Sequence, residues 1–178
     1  MDTGTGFEVR AGKRAVMRTN AGEPLTLQSR PLADAVASEW QAAEARAKPG
    51  DLPLARLALG AADVAGHRRE VEDATVAYAE TDLVCYRAGA AEADLAGRQE
   101  RAWGPLLEWA ADRFGARLEA TRGIVPHPQA GEALEALARA VAAYADAELA
   151  ALHAAAATCG SLVIALALLE GEIAPDAA

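Results

Sequence analysis

A long uncharged stretch near the end of the chain most constrains what this sequence can fold into. From Leu149 to Leu169 it carries no formal charge, and the run Leu162–Leu169 is apolar on every side of a helix. A helix that is apolar all round must be enclosed by other elements or by lipid. The sequence therefore predicts one helix over about Glu148–Glu170, buried at the centre of the fold.

A stretch of about 20 uncharged residues is also long enough to cross a bilayer, so a membrane-embedded subunit is one interpretation. Its flanks argue against this interpretation: acidic residues precede and follow it, and no Lys or Arg stands at either end to set an orientation. Its Ala, Gly and Ser residues would instead let neighbouring helices approach closely. We predict that the chain is not membrane-embedded. Partitioning into detergent rather than the soluble fraction would favour the membrane-embedded subunit.

The composition favours closely packed helices. Hydrophobic residues make up 52% of the chain, mostly Ala with Leu and Val, and aromatic residues only 4%. The net charge of −9 without a basic run disfavours unaided binding of nucleic acid. Cys85 and Cys159 lie far apart and suggest neither a disulfide framework nor a metal clip, which indicates reduced thiols in a cytosol-like compartment.

The first 30 residues differ from the rest of the chain. Gly6–Arg10, Arg14–Arg18 and Leu25–Gln28 alternate apolar and polar residues, with a turn at Ala11–Lys13. This pattern predicts three strands in an antiparallel β-meander. Three strands make only a marginal sheet, so the sheet must lean on helices.

Helical spacing of apolar residues begins near Pro31 and continues to the end of the chain. The sequence thus predicts an α+β fold: a β-rich domain over residues 1–29, followed by a helical bundle over residues 30–178 around the buried C-terminal helix. The first helix is predicted to end at Lys48–Gly50. Asp51 is a plausible N-cap of the second, which Gly66 closes.

Two charged residues stand out within the helical part. Asp82 continues an apolar helical face toward the core, and a buried carboxylate needs a cation or hydrogen-bond donors. Arg87 or a tyrosine hydroxyl is the local candidate. We favour a structural pair that locks two helices together over a polar spot within a recognition surface. Glu39, beside Trp40, is expected to be solvated.

Catalytic signatures are missing from the sequence. It contains no HExxH, GxxxxGK[ST], GxSxG or CxxC motif. Nothing in the sequence therefore argues for catalysis, and we predict no metal site. The alternative function is a small-molecule enzyme with a site between the sheet and the helices, using His127 or Cys85. Stabilisation of the fold by a small molecule would favour that alternative.

Three motifs in order carry a resemblance. They are T-D-L-x-C-Y-R at Thr81–Arg87, W-x-P-L-L-x-W at Trp103–Trp109 and G-S-L-x-x-A-L-A at Gly160–Ala167. With them the chain resembles the ATP synthase assembly factor 2 family, chaperones that bind the α subunit of the F-type ATP synthase head before assembly. The resemblance implies a β-rich N-terminal domain, a larger helical domain, no catalysis and no cofactor.

The resemblance also implies a transient partner. The chain would cover the apolar subunit interface of the unassembled α subunit until the β subunit takes its place, which requires reversible burial. A monomer is favoured. The bacterial cytoplasm is the expected location, or the mitochondrial matrix for a homologue whose leader has been removed. Members of the family have an additional N-terminal strand and a C-terminal acidic helical segment. Compared with them the chain looks shortened at both ends, so part of the client-binding surface is expected to be missing.

Large aromatic residues are rare here and are candidates for the client contact. Trp40 and Trp103 each continue an apolar stripe, so we predict that both lie in the core. Trp109 is less well in phase and is the better candidate for a partly exposed contact. The candidate partner-binding residues are Trp109, Asp82, Tyr86, Arg87, Trp40 and Trp103.

Overall fold

The computed structural model describes residues 6–10, 16–43 and 52–178. Three predicted features lie outside the described residues: the turn at Ala11–Lys13, the helix end at Lys48–Gly50 and the N-cap Asp51.

Three extended segments at the start of the chain hydrogen-bond to one another. Strands β1 (Phe7–Glu8) and β2 (Thr26–Leu27) pair antiparallel. The N–H of Val9 donates to Leu25 O (3.0 Å), that of Met17 to Val9 O (3.1 Å) and that of Leu25 to Met17 O (2.7 Å). Each segment therefore bonds to both others, whereas in a simple meander the first and last strands stay apart. The extra pairing satisfies backbone groups that two open edges would expose.

The strands pack on two helices, α1 (Arg30–Ala42) and the first part of α2 (Pro53–Val76). Their shared core consists of Val9, Met17, Leu25, Leu27, Ala33, Val36, Ala55 and Ala58. This packing confirms that the small sheet leans on helices.

Two compact units divide the chain, Met1–Arg68 and Arg69–Ala178. The predicted domain boundary at residue 29 follows the change from strands to helices. The compact units follow the packing instead, because strands and helices share one core in the first unit. The backbone of His67 leaves helical geometry (φ −135°, ψ 25°), next to the helix end predicted at Gly66.

The helix α2 has its N-terminus capped by a residue of α1. The carboxylate of Glu39 accepts hydrogen bonds from the N–H groups of Leu54 (2.9 Å) and Ala55 (2.8 Å). First-turn N–H groups have no partner within their own helix, and a negative charge is favourable there. The expectation that Glu39 is solvated was wrong, because its partners are distant in sequence.

The second unit is mostly helical. Its elements after α2 are β3 (Tyr86–Arg87), α3 (Ala93–Phe114), β4 (Thr121–Arg122), α4 (Gly131–Ala142), α5 (Asp146–Cys159) and α6 (Leu162–Leu169), with 3₁₀ turns at Ala77–Thr81, Leu83–Cys85, Ala90–Glu92 and Pro175–Ala177. Strands β3 and β4 pair in parallel, with Tyr86 opposite Thr121 and Arg87 opposite Arg122. Helices dominate the chain beside two small sheets, which confirms the predicted α+β class.

The predicted single C-terminal helix is two helices. Gly160 ends α5 in the left-handed region (φ 64°), and Ser161 is extended (φ −150°, ψ 122°) and caps α6. Residues 162–167 are all buried, and α6 packs against α3, α5 and the turn Ala77–Thr81. The enclosure of the apolar run is confirmed, and its continuity is not. In the described part of the chain, every helix is too short or too polar to traverse a bilayer.

A polar cluster joins the ends of three helices. The Tyr144 hydroxyl donates to Glu170 Oε1 (2.6 Å), and Arg113 Nε and Nη2 donate to Glu170 Oε2 (3.2 and 2.9 Å). The hydrogen bonds from Tyr144, and then those from Arg113, lower the pKa of Glu170. Burial, and then the bond to Glu170, raises the pKa of Tyr144.

Replacing the cap of α2 should destabilise the first unit. We expect Glu39→Ala to lower its free energy of unfolding by about 2 kcal/mol, because two backbone donors lose their acceptor. The matched control is Asp34→Ala on the same helix, which removes an exposed ion pair with Arg30 and should change stability by less than about 0.5 kcal/mol. Denaturant unfolding measures both, and equal losses would contradict the capping role.

The polar cluster should make stability depend on acid pH. A lowered carboxyl pKa stabilises the fold above the unfolded-state value of 4.5, and this stabilisation is lost as the pH falls through the folded-state pKa. We therefore expect wild type to exceed Glu170→Gln in unfolding free energy near pH 7, with the difference shrinking below pH 4.5. Glu172→Gln is the control. A pH-independent difference would show that Glu170 acts through shape alone.

Candidate functional site

The centre of the second unit is the buried carboxylate of Asp82. Its Oδ1 accepts from the N–H of Val84 (3.2 Å) and its Oδ2 from the N–H of Val163 (3.0 Å). Ser161 and the N–H of Leu162 also hydrogen-bond to it. One side chain thus fastens the turn Leu83–Cys85 to the first turn of α6.

Burial raises the pKa of Asp82 above its ordinary 3.8, and the hydrogen bonds from Ser161, Val163 and Val84 oppose this rise. The partner predicted for this carboxylate was wrong: neither Arg87 nor a tyrosine hydroxyl is among its donors. The start of α6 takes that place, because unpaired N–H groups and the helix dipole favour an anion there.

Arg87 connects β3 to α3. Its side chain is only 4% exposed, and its Nε donates to Glu100 Oε2 (2.9 Å). Its Nη1 donates to Val84 O, and the guanidinium lies 5.5 Å from the ring centroid of Trp103. Nη2 is buried without a hydrogen-bond partner. The planar cation therefore orders the turn before β3 and packs on an aromatic face.

The aromatic candidates are all half-buried. Trp109 packs edge-to-face on Phe114 (centroids 5.3 Å apart, interplanar angle 88°). Trp40 packs against the core of the first unit, and Trp103 lies beneath Arg87. Helical phase predicted core positions for Trp40 and Trp103 and a more exposed one for Trp109, but all three tryptophans are half-buried, as is Tyr86.

The structure brings some candidates together and not others. Arg87 contacts Trp103, and Asp82 bonds to the turn that leads into β3. Asp82 and Arg87 are too buried to touch a partner directly. Tyr86 and Trp103 retain partly exposed surface.

The residues proposed for the alternative enzyme are poorly suited to it. Cys85 is completely buried. Burial, and then the nearby Asp82 carboxylate, raises the pKa of its thiol to about 12, so the reactive thiolate is scarce at neutral pH. His127 is held by Glu119, with Nε2 2.9 Å from Glu119 Oε2. Among the described residues, no three His, Cys, Asp or Glu side chains are grouped as metal ligands would be.

One exposed feature escaped the sequence reasoning. Ile124 and Val125, in the loop after β4, are 94% and 74% exposed. The available signal was two adjacent β-branched residues between Gly123 and Pro126, outside any helical period. Such residues are usually buried, so their exposure points to an interaction.

Removing the Asp82 carboxylate should destabilise the second unit. Asp82→Ala leaves buried N–H groups without an acceptor, and we expect a loss of about 3 kcal/mol in unfolding free energy. Asp82→Asn keeps the shape and one acceptor, so it should lose less.

The pH dependence of the same variants tests the raised pKa of Asp82. A raised carboxyl pKa means that stability falls as the pH rises from 3.8 through the folded-state value. The advantage of wild type over Asp82→Asn should therefore be greatest at acid pH and shrink as the pH rises. Denaturant unfolding from pH 3 to 8 measures it, and an advantage that grows with pH would contradict the dominance of burial.

Comparison with known proteins identifies the family. Residues 1–111 match the ATP12 chaperone protein family. The crystal structure of Atp12 from Paracoccus denitrificans is 37% identical, with a TM-score of 0.86 over 97% of this chain and 74% of that one. The D202K mutant of the same protein has a TM-score of 0.82 at 37% identity, over 91% of this chain and 69% of that one.

A third structure agrees. The Atu1473 protein of Agrobacterium tumefaciens, a candidate chaperone, is 37% identical, with a TM-score of 0.82 over 91% of this chain and 61% of that one. The family match and these similarities confirm the resemblance seen in the three motifs. The chain belongs to the ATP12 chaperone family, the assembly chaperones of the ATP synthase head.

Proposed function

We propose that this assembly chaperone binds the unassembled α subunit of the F-type ATP synthase head. It shields the apolar interface of that subunit until the β subunit replaces it. Membership of the ATP12 chaperone family is the observation that carries the proposal. The choice of α over other subunits rests on the three motifs that resemble the α-specific assembly factors.

The proposed mechanism is reversible burial without catalysis or a cofactor. A chaperone of this kind must cover enough apolar area to prevent aggregation, yet bind weakly enough to yield to the true partner. The scarcity of thiolate at Cys85, whose pKa is raised to about 12, supports a non-enzymatic role over the alternative enzyme. The net charge of −9 would disfavour nucleic acid as a competing partner.

The six candidate residues receive two kinds of proposed role. Trp109, Trp103, Tyr86 and Trp40 are half-buried and keep surface that a client could cover. Asp82 and Arg87 are buried, so we assign them the positioning of the surface around β3 rather than direct contact.

Three further proposals follow the resemblance. The strand-rich residues 1–29 and the helical residues 30–178 make different contributions to client binding, although the strands share a core with α1 and the first part of α2. The protein acts as a monomer, binding the α subunit transiently. It works in the bacterial cytoplasm, or in the mitochondrial matrix for a homologue whose leader has been removed.

A displacement experiment tests the client. Purified α subunit should be captured by the immobilised chain, and added β subunit should release it, because the two compete for one interface. In one control, serum albumin is immobilised in place of the chain. In the other, β subunit is applied to the immobilised chain in place of α subunit. Capture of β as readily as α would contradict the specificity. Failure to capture α at micromolar concentration would overturn the proposed function.

A further inference from the structure

The loop after β4 presents the most exposed large apolar side chains in the described part of the chain. We call residues 119–129, which comprise β4 and the segments on either side of it, the display loop. Ile124 is 94% and Val125 74% exposed, whereas the other exposed large apolar residues, Leu57, Leu83 and Leu95, lie between 36% and 44%. Leaving two adjacent β-branched side chains in water forgoes about 2 kcal/mol or more for each one. Folding alone gives no reason for this arrangement.

The base of the display loop is fastened on both sides. The N–H of Glu119 donates to Gln129 Oε1 (2.8 Å), and Gln129 Nε2 donates back to Glu119 O (3.0 Å). His127 Nε2 lies 2.9 Å from Glu119 Oε2, and the N–H of Gly123 donates to Arg87 O (2.9 Å). The tip is therefore held between two anchored points.

Proline rings restrict the loop further. Pro126 directly follows Val125, and Pro128 lies two positions later. Each ring fixes its own φ and restricts the residue before it. A loop ordered before binding loses little conformational entropy when it binds. The display loop thus combines exposure with preorganisation, as an interface anchor requires.

The area and charge of the loop define what could cover it. Two such side chains expose on the order of 300 Å², whereas a stable interface needs roughly 800 Å² from each partner. The two side chains can therefore supply only the centre of a larger interface. Two copies of this chain would also repel each other through their net charges of −9, which disfavours a dimer as the occupant. The chain has a net charge of −9, yet Arg122, two residues before Ile124, is exposed, and Glu119 is the one acid in residues 119–129. The complementary surface is apolar and bordered by carboxylates.

We propose that Ile124 and Val125 are the apolar anchor of this chaperone and enter an apolar cleft, bordered by carboxylates, on the unassembled α subunit. This inference rests on the proposed function and adds the contact surface. The two side chains supply the buried centre of the interface, where binding energy concentrates. The exposed Arg122, two residues before the anchor, speeds association through long-range attraction.

The test compares variants of the full chain in binding to purified α subunit. Ile124→Ser with Val125→Ser should raise the Kd at least tenfold and leave the unfolding temperature unchanged, since both side chains are exposed. The matched control is Leu57→Ser, which removes a side chain that is 38% exposed and should stay within threefold of wild type. Arg122→Glu should slow association and weaken its salt dependence.

Each outcome distinguishes this inference from the proposed function. Capture of α by wild type and by the double variant within threefold would overturn the anchor and leave the function standing. Absence of capture by wild type would overturn both. Sedimentation could instead show that wild type dimerises at tens of micromolar and that the double variant does not. That result would mean that the anchor binds a second copy of this chain, and it would overturn the α subunit as the occupant. A tenfold loss in the double variant, with Leu57→Ser within threefold of wild type, would establish the anchor.

Discussion

The interior of the second unit depends on one carboxylate. The helix α6 is apolar on every side, so it must be buried, but burying its first turn also buries backbone N–H groups that have no partner within the helix. Ser161 accepts from Ile164 (3.0 Å), and Asp82 accepts from Val163 (3.0 Å). An unpaired backbone donor in this position would cost about 1–3 kcal/mol. The Asp82 side chain, as acceptor, therefore makes the enclosure of the apolar helix possible.

How much could be predicted from the sequence follows from the range of each interaction. The burial of residues 162–167 was predictable, because hydrophobicity is a property of the residues themselves. The acceptors were not, because Asp82 with Val163 and Glu39 with Leu54 are tertiary pairs. The break at Gly160 belongs with them, since a glycine within an apolar helical pattern is ambiguous until the cap that restarts the helix is known.

The candidate site was predictable in part for the same reason. Ordered motifs such as T-D-L-x-C-Y-R identified the family, and the structure shows why Asp82 and Arg87 belong in that motif: each binds backbone groups that hold β3 and its turn in place. Exposure was harder to predict. Helical periodicity orders the residues of one helix by their expected burial, so it predicted Trp103 to be in the core and Trp109 to be partly exposed. Packing against neighbouring elements leaves both half-buried. Ile124 lies outside any period.

Interior polar groups and exposed apolar groups therefore perform opposite tasks in this chaperone. The hydrogen bonds of Asp82 and the ion pair of Arg87 order the interior. They hold the turn Leu83–Cys85, β3 and the adjacent β4 in one arrangement. The proposed anchor at Ile124 and Val125 is too small by itself to hold two copies together, since its area is well below that of a stable interface. The small area of the anchor also favours release of the client. A subunit that buries a larger apolar interface on the client has a more favourable binding free energy, so it can displace the chaperone without energy input.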